Sequence, residues 1–166
     1  MKLKSILSLV LLVGMTLSIS AQKFGYVNTQ ELLSQLPEVK EANANIENLK
    51  TQLQKKGQNM ITALQNKYQD LERRQNELSP KQLETEAAAI RAEEQKIGEF
   101  EQSSQQKIIM KSEELLKPIQ EKVQIAIDNV AKEKGYTYIF DASMGLILYA
   151  DPSTEVTALV KAKLGL

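Results

Sequence analysis

The chain has 166 residues, with 21 basic and 21 acidic side chains and no Cys, His or Trp. This removes disulfides, the usual thiol nucleophile, the usual near-neutral general base and the usual borderline metal ligands, so enzyme chemistry would have to rest on carboxylates, Ser or Lys. The even charge balance argues against a nucleic-acid partner, which needs a clustered positive surface, and the sequence calls for no metal or cofactor.

Lys2 and Lys4, the apolar stretch Ile6 to Val13 and the small-residue end Ile19-Ser20-Ala21 read as a cleavable signal peptide over residues 1–21. A mature start at Gln22 and a periplasmic product follow. An uncleaved anchor is the alternative, but the apolar stretch is shorter than the ~18 residues that a span requires. Without its two signal lysines the chain keeps 19 basic residues against 21 acidic ones, a net charge of about −2. That gives no electrostatic reason to bind anionic lipid.

Lys23 to Asn28 is aromatic and β-branched enough to read as a strand. Asn28 then caps a brief helix with Glu31 three residues on, and Leu32, Leu33 and Leu36 supply its buried face. Pro37 ends that helix or starts the next.

From Glu38 to Lys134 nearly everything reads as helix, and Ser79-Pro80-Lys81-Gln82 marks a turn, with Ser79 and Gln82 at capping-box spacing and Pro80 at the first helical position. Before the turn, Val39, Ala42, Ile46, Leu49, Leu53, Met60, Leu64, Leu71 and Leu78 form one coiled-coil seam with a single slip. After it, the seam continues through Leu83, Ala87, Ile90, Ile97, Ser104, Ile108, Leu115, Ile119, Val123, Ala126 and Val130. Everything else on both arms is polar, so the hairpin, residues 38–134 with its turn at 78–81, has to project into solvent. At ~1.5 Å per residue the outgoing arm reaches roughly 60 Å.

Three positions on the arms are candidate hinges. Gly57 and Gly98 fall at nearly one height on opposite arms, with Gly57 expected near Gln102 and Gly98 near Ile61. Pro118 sits well inside the returning helix, where it costs a backbone hydrogen bond and is either a tolerated kink or a hinge. The tip carries mixed charge. Glu93-Glu94 and Glu113-Glu114 look like paired carboxylates, but neighbours on a helix point about 100° apart, so neither pair converges on a substrate.

Gly135 closes the long helix. Tyr136 to Phe140 reads as a second strand, Asp141 to Gly145 as a turn, Leu146 to Tyr149 as a third strand, and Asp151-Pro152 as the start of a last helix with Val156, Leu159, Val160 and Leu164 on one face. Residues 22–37 and 135–166 together form the body. At roughly 50 residues without a staple such a body is marginal alone, and its open sheet edges bearing Ile139, Leu146, Ile147 and Leu148 invite pairing with another copy. The fold class is therefore α+β, a long antiparallel coiled-coil hairpin on a small β-sheet body that self-associates.

Gly25-Tyr26-Val27-Asn28, Leu36-Pro37-Glu38, Gly135-Tyr136-Thr137-Tyr138-Ile139-Phe140-Asp141-Ala142, Leu148-Tyr149-Ala150 and Glu155-Val156-Thr157 resemble the Skp/OmpH family of periplasmic chaperones over the whole mature length. The resemblance implies a homotrimer whose bodies complete a β-barrel. In this chain Tyr26, Val27, Tyr138, Ile139, Phe140, Leu146, Leu148 and Tyr149 would form that trimer body. It also implies three tentacles around a cavity that holds unfolded outer-membrane proteins without ATP, in agreement with the absence of a phosphate loop. The well-known family member is strongly basic and this chain is not, so lipopolysaccharide or other membrane contact is not carried over. Off-seam Ile61, Tyr68, Phe100, Ile109 and Met110 are candidate client contacts, or they simply thicken the seam. The alternative function is a coiled-coil spacer or adaptor of the cell envelope. A prefoldin-like cytosolic chaperone is opposed by the signal peptide.

Overall fold

The first strand has two unlike faces, Gly25 and Val27 on one and Phe24 and Tyr26 on the other, and the body is arranged around that difference. The computed structural model describes residues 22–166, so the expected signal peptide lies outside the described residues. Strand β1, Phe24–Val27, pairs in parallel with β2, Tyr138–Asp141, in the register Phe24 to Tyr138 through Val27 to Asp141. On its other side Tyr26 bridges Glu155, and the Val156 N–H donates to the Tyr26 carbonyl at 2.9 Å. Gly25 has to be glycine, because a Cβ there would lie 2.9 Å from the Tyr136 ring and 3.3 Å from the Thr154 carbonyl.

Asn28 caps helix α1, Thr29–Gln35, by accepting from the Glu31 N–H at 3.0 Å. Glu31 does not complete a capping box. The Asn28 N–H donates instead to Thr157 Oγ1 at 3.1 Å, and the Glu31 carboxylate pairs with Lys161. Both contacts tie the start of the chain to its last helix.

Pro37 opens α2, Pro37–Arg74, and Pro80 opens α3, Pro80–Lys134. The connection between them runs over residues 75–79 and so starts earlier than the expected 78–81, but the capping box forms: Gln82 Oε1 accepts from the Ser79 N–H at 3.0 Å and Ser79 Oγ accepts from the Gln82 N–H at 3.4 Å. Gly135 ends α3 at φ 70, the left-handed conformation that only glycine adopts without cost. The hairpin keeps one register from root to tip. Three pairs across it, Lys122–Glu38, Lys67–Glu93 and Arg74–Glu86, are each centred on Pro80.

Two expectations in the C-terminal segment are corrected. Leu146 to Tyr149 forms no strand, and the sheet has two strands. The apolar run has strand-forming side chains, but a strand exists only with its partner, and in the single chain the run leaves the outer edge of β2 unpaired. Asp151-Pro152 opens a three-residue 3-10 turn, Pro152–Thr154, rather than the last helix, because Asp151 Oδ1 is spent on the Ser153 N–H two residues on. Helix α4, Thr157–Leu164, starts after it and ends at Gly165.

The core lies where the body meets the root of the hairpin. Val27, Leu32, Leu36, Ala42, Ile119, Val123, Ala126, Val130, Val156 and Val160 form one buried cluster. It takes side chains from β1, all four helices and the segment before α4, so the hairpin root is packed into the body rather than attached to it.

Candidate functional site

Two surfaces are available to a partner, and they differ in chemistry. The first is the outward face of the sheet. On β1 and β2 the residues that do not face the core are Phe24, Tyr26, Tyr138 and Phe140. Three of these rings stack on one another, with centroids 5.7 Å apart for Phe24–Tyr138, 6.2 Å for Tyr138–Phe140 and 6.3 Å for Phe24–Phe140. All three remain about half exposed. The segment after β2 brings Leu146, Ile147 and Tyr149 to the same face, and within it Leu148 is 98% exposed, Tyr149 85% and Leu146 77%. Between this segment and the sheet lies an open apolar cleft of about 650 Å³, walled by Phe24, Tyr26, Phe140, Met144, Ile147 and Tyr149. Tyr26 is half-buried, and burial together with the neighbouring Glu155 carboxylate pushes its hydroxyl above the ordinary value.

The projecting segment is anchored at its base. Asp141 Oδ1 accepts from the Ser143 N–H at 2.9 Å and from the Thr29 N–H at 3.4 Å, Asp141 Oδ2 accepts from the Thr29 hydroxyl, and the Thr29 and Ser143 hydroxyls lie 3.1 Å apart. Burial favours the neutral acid here, but the hydrogen bonds from Thr29 and Ser143 outweigh it and hold the Asp141 carboxyl below its usual value. The motif thus joins the end of β2 to the start of α1 and fixes where the exposed apolar segment begins.

Of the residues expected to build an assembly surface, Tyr138, Phe140, Leu146 and Tyr149 are exposed on this face, and Leu148 is exposed on the segment beside it. Val27 is buried in the core of the single chain, and Ile139 packs against that core from the opposite face of β2.

The second surface is the hairpin, where apolar exposure is sparse. Ile109 and Met110 are open to solvent on α3 and Ile61 is half-buried. Tyr68 is half exposed, but its hydroxyl donates to Glu94 at 2.7 Å across the arms. Phe100 is half-buried against Gly57, where a Cβ would stand 3.5 Å from Phe100 Cε1, and Lys56 Nζ lies 5.1 Å from the ring centroid. Gly57 is therefore opposite Phe100, two residues from the expected Gln102. Gly98 faces open space. Pro118 is exposed within α3 beside Met110, Glu113, Glu114 and Glu121.

The carboxylate pairs are put to other uses. Glu93 accepts from Lys67 at 2.8 Å, which holds its carboxyl below the usual value, while Glu94 holds Tyr68. Glu114 pairs with Lys111 on its own helix. Among the described residues no cluster of potential metal ligands forms, and no helix is long and apolar enough to cross a membrane. Composition alone did not locate the Thr29–Asp141–Ser143 motif, although Asp-Ala-Ser after a strand is a standard side-chain turn signal.

The architecture has counterparts. The family model described as outer membrane protein (OmpH-like) matches residues 23–164. The chain is 30% identical over 155 residues to chaperone protein Skp of Yersinia enterocolitica, covering 91% of both chains. Its fold matches a solved structure of a putative outer membrane chaperone (OmpH-like) from Caulobacter crescentus CB15 with a TM-score of 0.74 at 17% identity, covering 87% of this chain and 85% of that one. With the family model spanning nearly all described residues and a relative this similar over nearly the full length, the chain belongs to the OmpH-like outer membrane protein family.

Proposed function

We propose that the protein is an ATP-independent holdase chaperone of the periplasm, which binds unfolded outer-membrane β-barrel proteins between its tentacles and keeps them from aggregating. The observation that carries this reading is the division of apolar surface: concentrated on one face of the body, and thin and scattered along two long arms. The dense face suits permanent contact between copies. A parallel sheet with one aromatic face in water is incomplete, since such sheets are ordinarily covered on both faces, and Leu146, Leu148 and Tyr149 exceed what a monomer usually leaves exposed. We therefore take the working form to be a homotrimer joined through this face.

The scattered surface suits transient contact. Ile109 and Met110 form one small exposed pair on α3 and half-buried Ile61 lies on the other arm, with polar residues around each, so each offers a weak contact that fixes no single pose. A client held this way stays soluble without being folded. Chaperone naming of the Yersinia enterocolitica and Caulobacter crescentus relatives supports the same reading. The near-neutral balance of 19 basic and 21 acidic residues after the signal argues that client binding depends only modestly on salt.

An aggregation assay tests the proposal. A β-barrel membrane protein unfolded in urea is diluted into buffer with the purified chain and no nucleotide, and light scattering is followed. Suppression at near-stoichiometric ratio is expected. Aggregation at the rate of the client alone would overturn the holdase reading and favour an envelope spacer.

A further inference from the structure

Polar contacts between the two arms are unevenly distributed. Near the root there is one, Lys122 Nζ to Glu38 Oε1 at 2.6 Å, and it lies over the buried core. In the outer third there are three sets. Lys67 reaches Glu93 at 2.8 Å, the Tyr68 hydroxyl reaches Glu94 at 2.7 Å, and Arg74 binds Glu86 through both guanidinium nitrogens at 3.2 and 2.7 Å. Arg74 also donates through Nε to Asp70 at 2.7 Å, so one guanidinium joins carboxylates from both arms. Between these two levels, among the described residues, no hydrogen bond or ion pair joins the arms.

Apolar packing does not compensate at the tip. Beyond the middle of the hairpin only Ile90 is buried, Leu64, Leu71 and Leu78 are half-buried, and Leu83 is exposed. The level below is a poor conductor of stability from the root, since Gly57 and Gly98 sit there and the buried Ser104 hydroxyl has no partner.

We propose that the outer third of the hairpin is an ionic clasp, which opens and closes with ionic strength while the root stays shut. Single exposed ion pairs contribute little, but a bidentate Arg–carboxylate shared with a third carboxylate is the arrangement in which such contacts count. Its partners are part exposed, so mobile ions reach them, and the screening length shrinks from about 20 Å to a few Å as salt rises from about 20 mM to about 500 mM. The clasp lets the two arms of a hairpin separate at its tip without loss of the body. This holds whether or not the protein is a holdase.

Hydrogen exchange on the full mature chain at those two salt concentrations tests it. Amides in residues 66–74 and 84–94 are expected to exchange about fivefold faster at high salt, as the exposed polar network that joins the arms there is screened. Residues 42–46 and 119–130 serve as the internal control and should not change. In the double variant Arg74→Met with Glu86→Gln, the tip should exchange at the fast rate in low salt and respond little to added salt. A tip whose exchange ignores salt, a root that responds in parallel, or a variant that keeps the full salt response would each overturn the clasp. The wild-type salt series decides the matter even if the variant is poorly behaved.

Discussion

The root of the hairpin and its outer half consist of the same two helices, yet they are held together differently. At the root, Ala42, Ile119, Val123, Ala126 and Val130 are buried with side chains of the body in one dry cluster. In the outer half the seam is half-wet, and contact across the arms is carried by Arg74, Lys67 and Tyr68. A two-helix pair has only one narrow edge to bury. It becomes a true core only where a third layer covers it, and here α1, α4 and β1 supply that layer at the root alone. Stability should therefore fall along the arm, and it should change in kind from hydrophobic to electrostatic.

The largest expected effect tests that gradient directly. Leu32 is fully buried in the root cluster, so Leu32→Ala should cost about 2–5 kcal/mol in urea unfolding. The same truncation at half-buried Leu71 should cost about 1 kcal/mol, in proportion to the smaller apolar area it removes from water. Equal costs at the two positions would mean that the arm is as well packed as the root.

A comparable contrast separates the dense apolar face from the scattered one. If the body assembles as proposed, Leu148→Lys should lower the melting temperature by roughly 5 °C and make it depend on protein concentration. Ile109→Lys on the arm should do neither. Light scattering that shows an unchanged oligomer for the Leu148 variant would remove the interface proposed here.

The hairpin was legible in the sequence because its signals are local. The helical seam from Val39, the Ser79 and Gln82 capping box and the Gly135 stop each depend on residues a few positions apart, and they form, except that the outgoing helix ends at Arg74 and leaves Leu78 in the turn. The candidate surfaces were less legible because they depend on partners far away in the chain. Leu146 to Tyr149 has the composition of a strand, but whether it pairs is decided by edges that sequence pattern does not locate. Tyr26 and Val27 are neighbours on one strand and so face opposite sides, but that the Val27 side is the buried one is decided by α1, α3 and α4 packing behind it. Phe100 reads as a free aromatic until the hairpin register sets it against Gly57.

Asp141 gives a smaller and pH-dependent effect at the boundary between body and exposed segment. Replacing it with Asn weakens charge-assisted bonds from Thr29 and Ser143 and should cost about 1–3 kcal/mol at neutral pH. Its carboxyl is held lower in the folded chain than in the unfolded one. The contribution is therefore complete above the unfolded value near pH 4 and is lost as pH falls through the folded value. Thermal melts from neutral pH downward should show the gap between wild type and Asp141→Asn narrowing only below about pH 4. A gap that is constant with pH would mean that the ionised carboxylate is not what anchors the segment.

The smallest effects are gains, and they lie at the level where root gives way to tip. Ser104 is 8% exposed and its hydroxyl has no partner, so Ser104→Ala should stabilise by about 1 kcal/mol through removal of an unsatisfied buried group. Gly98→Ala meets nothing within 4 Å, and Gly57→Ala would place its methyl 3.5 Å from Phe100, an ordinary contact. Each glycine change should therefore add about 0.5–1 kcal/mol of helix stability without moving Phe100. The two sites are on different arms, and a methyl at Gly98 touches nothing while one at Gly57 touches only Phe100, so their gains should add. Hydrogen exchange in residues 54–60 and 96–106 should slow in the combined variant, while residues 119–130 stay as they were. If the middle of the arm is where the tentacle bends, the same variant should capture large clients more slowly and small ones at an unchanged rate. If exchange slows and capture of both is unaffected, the weak level exists but bending there has no part in binding.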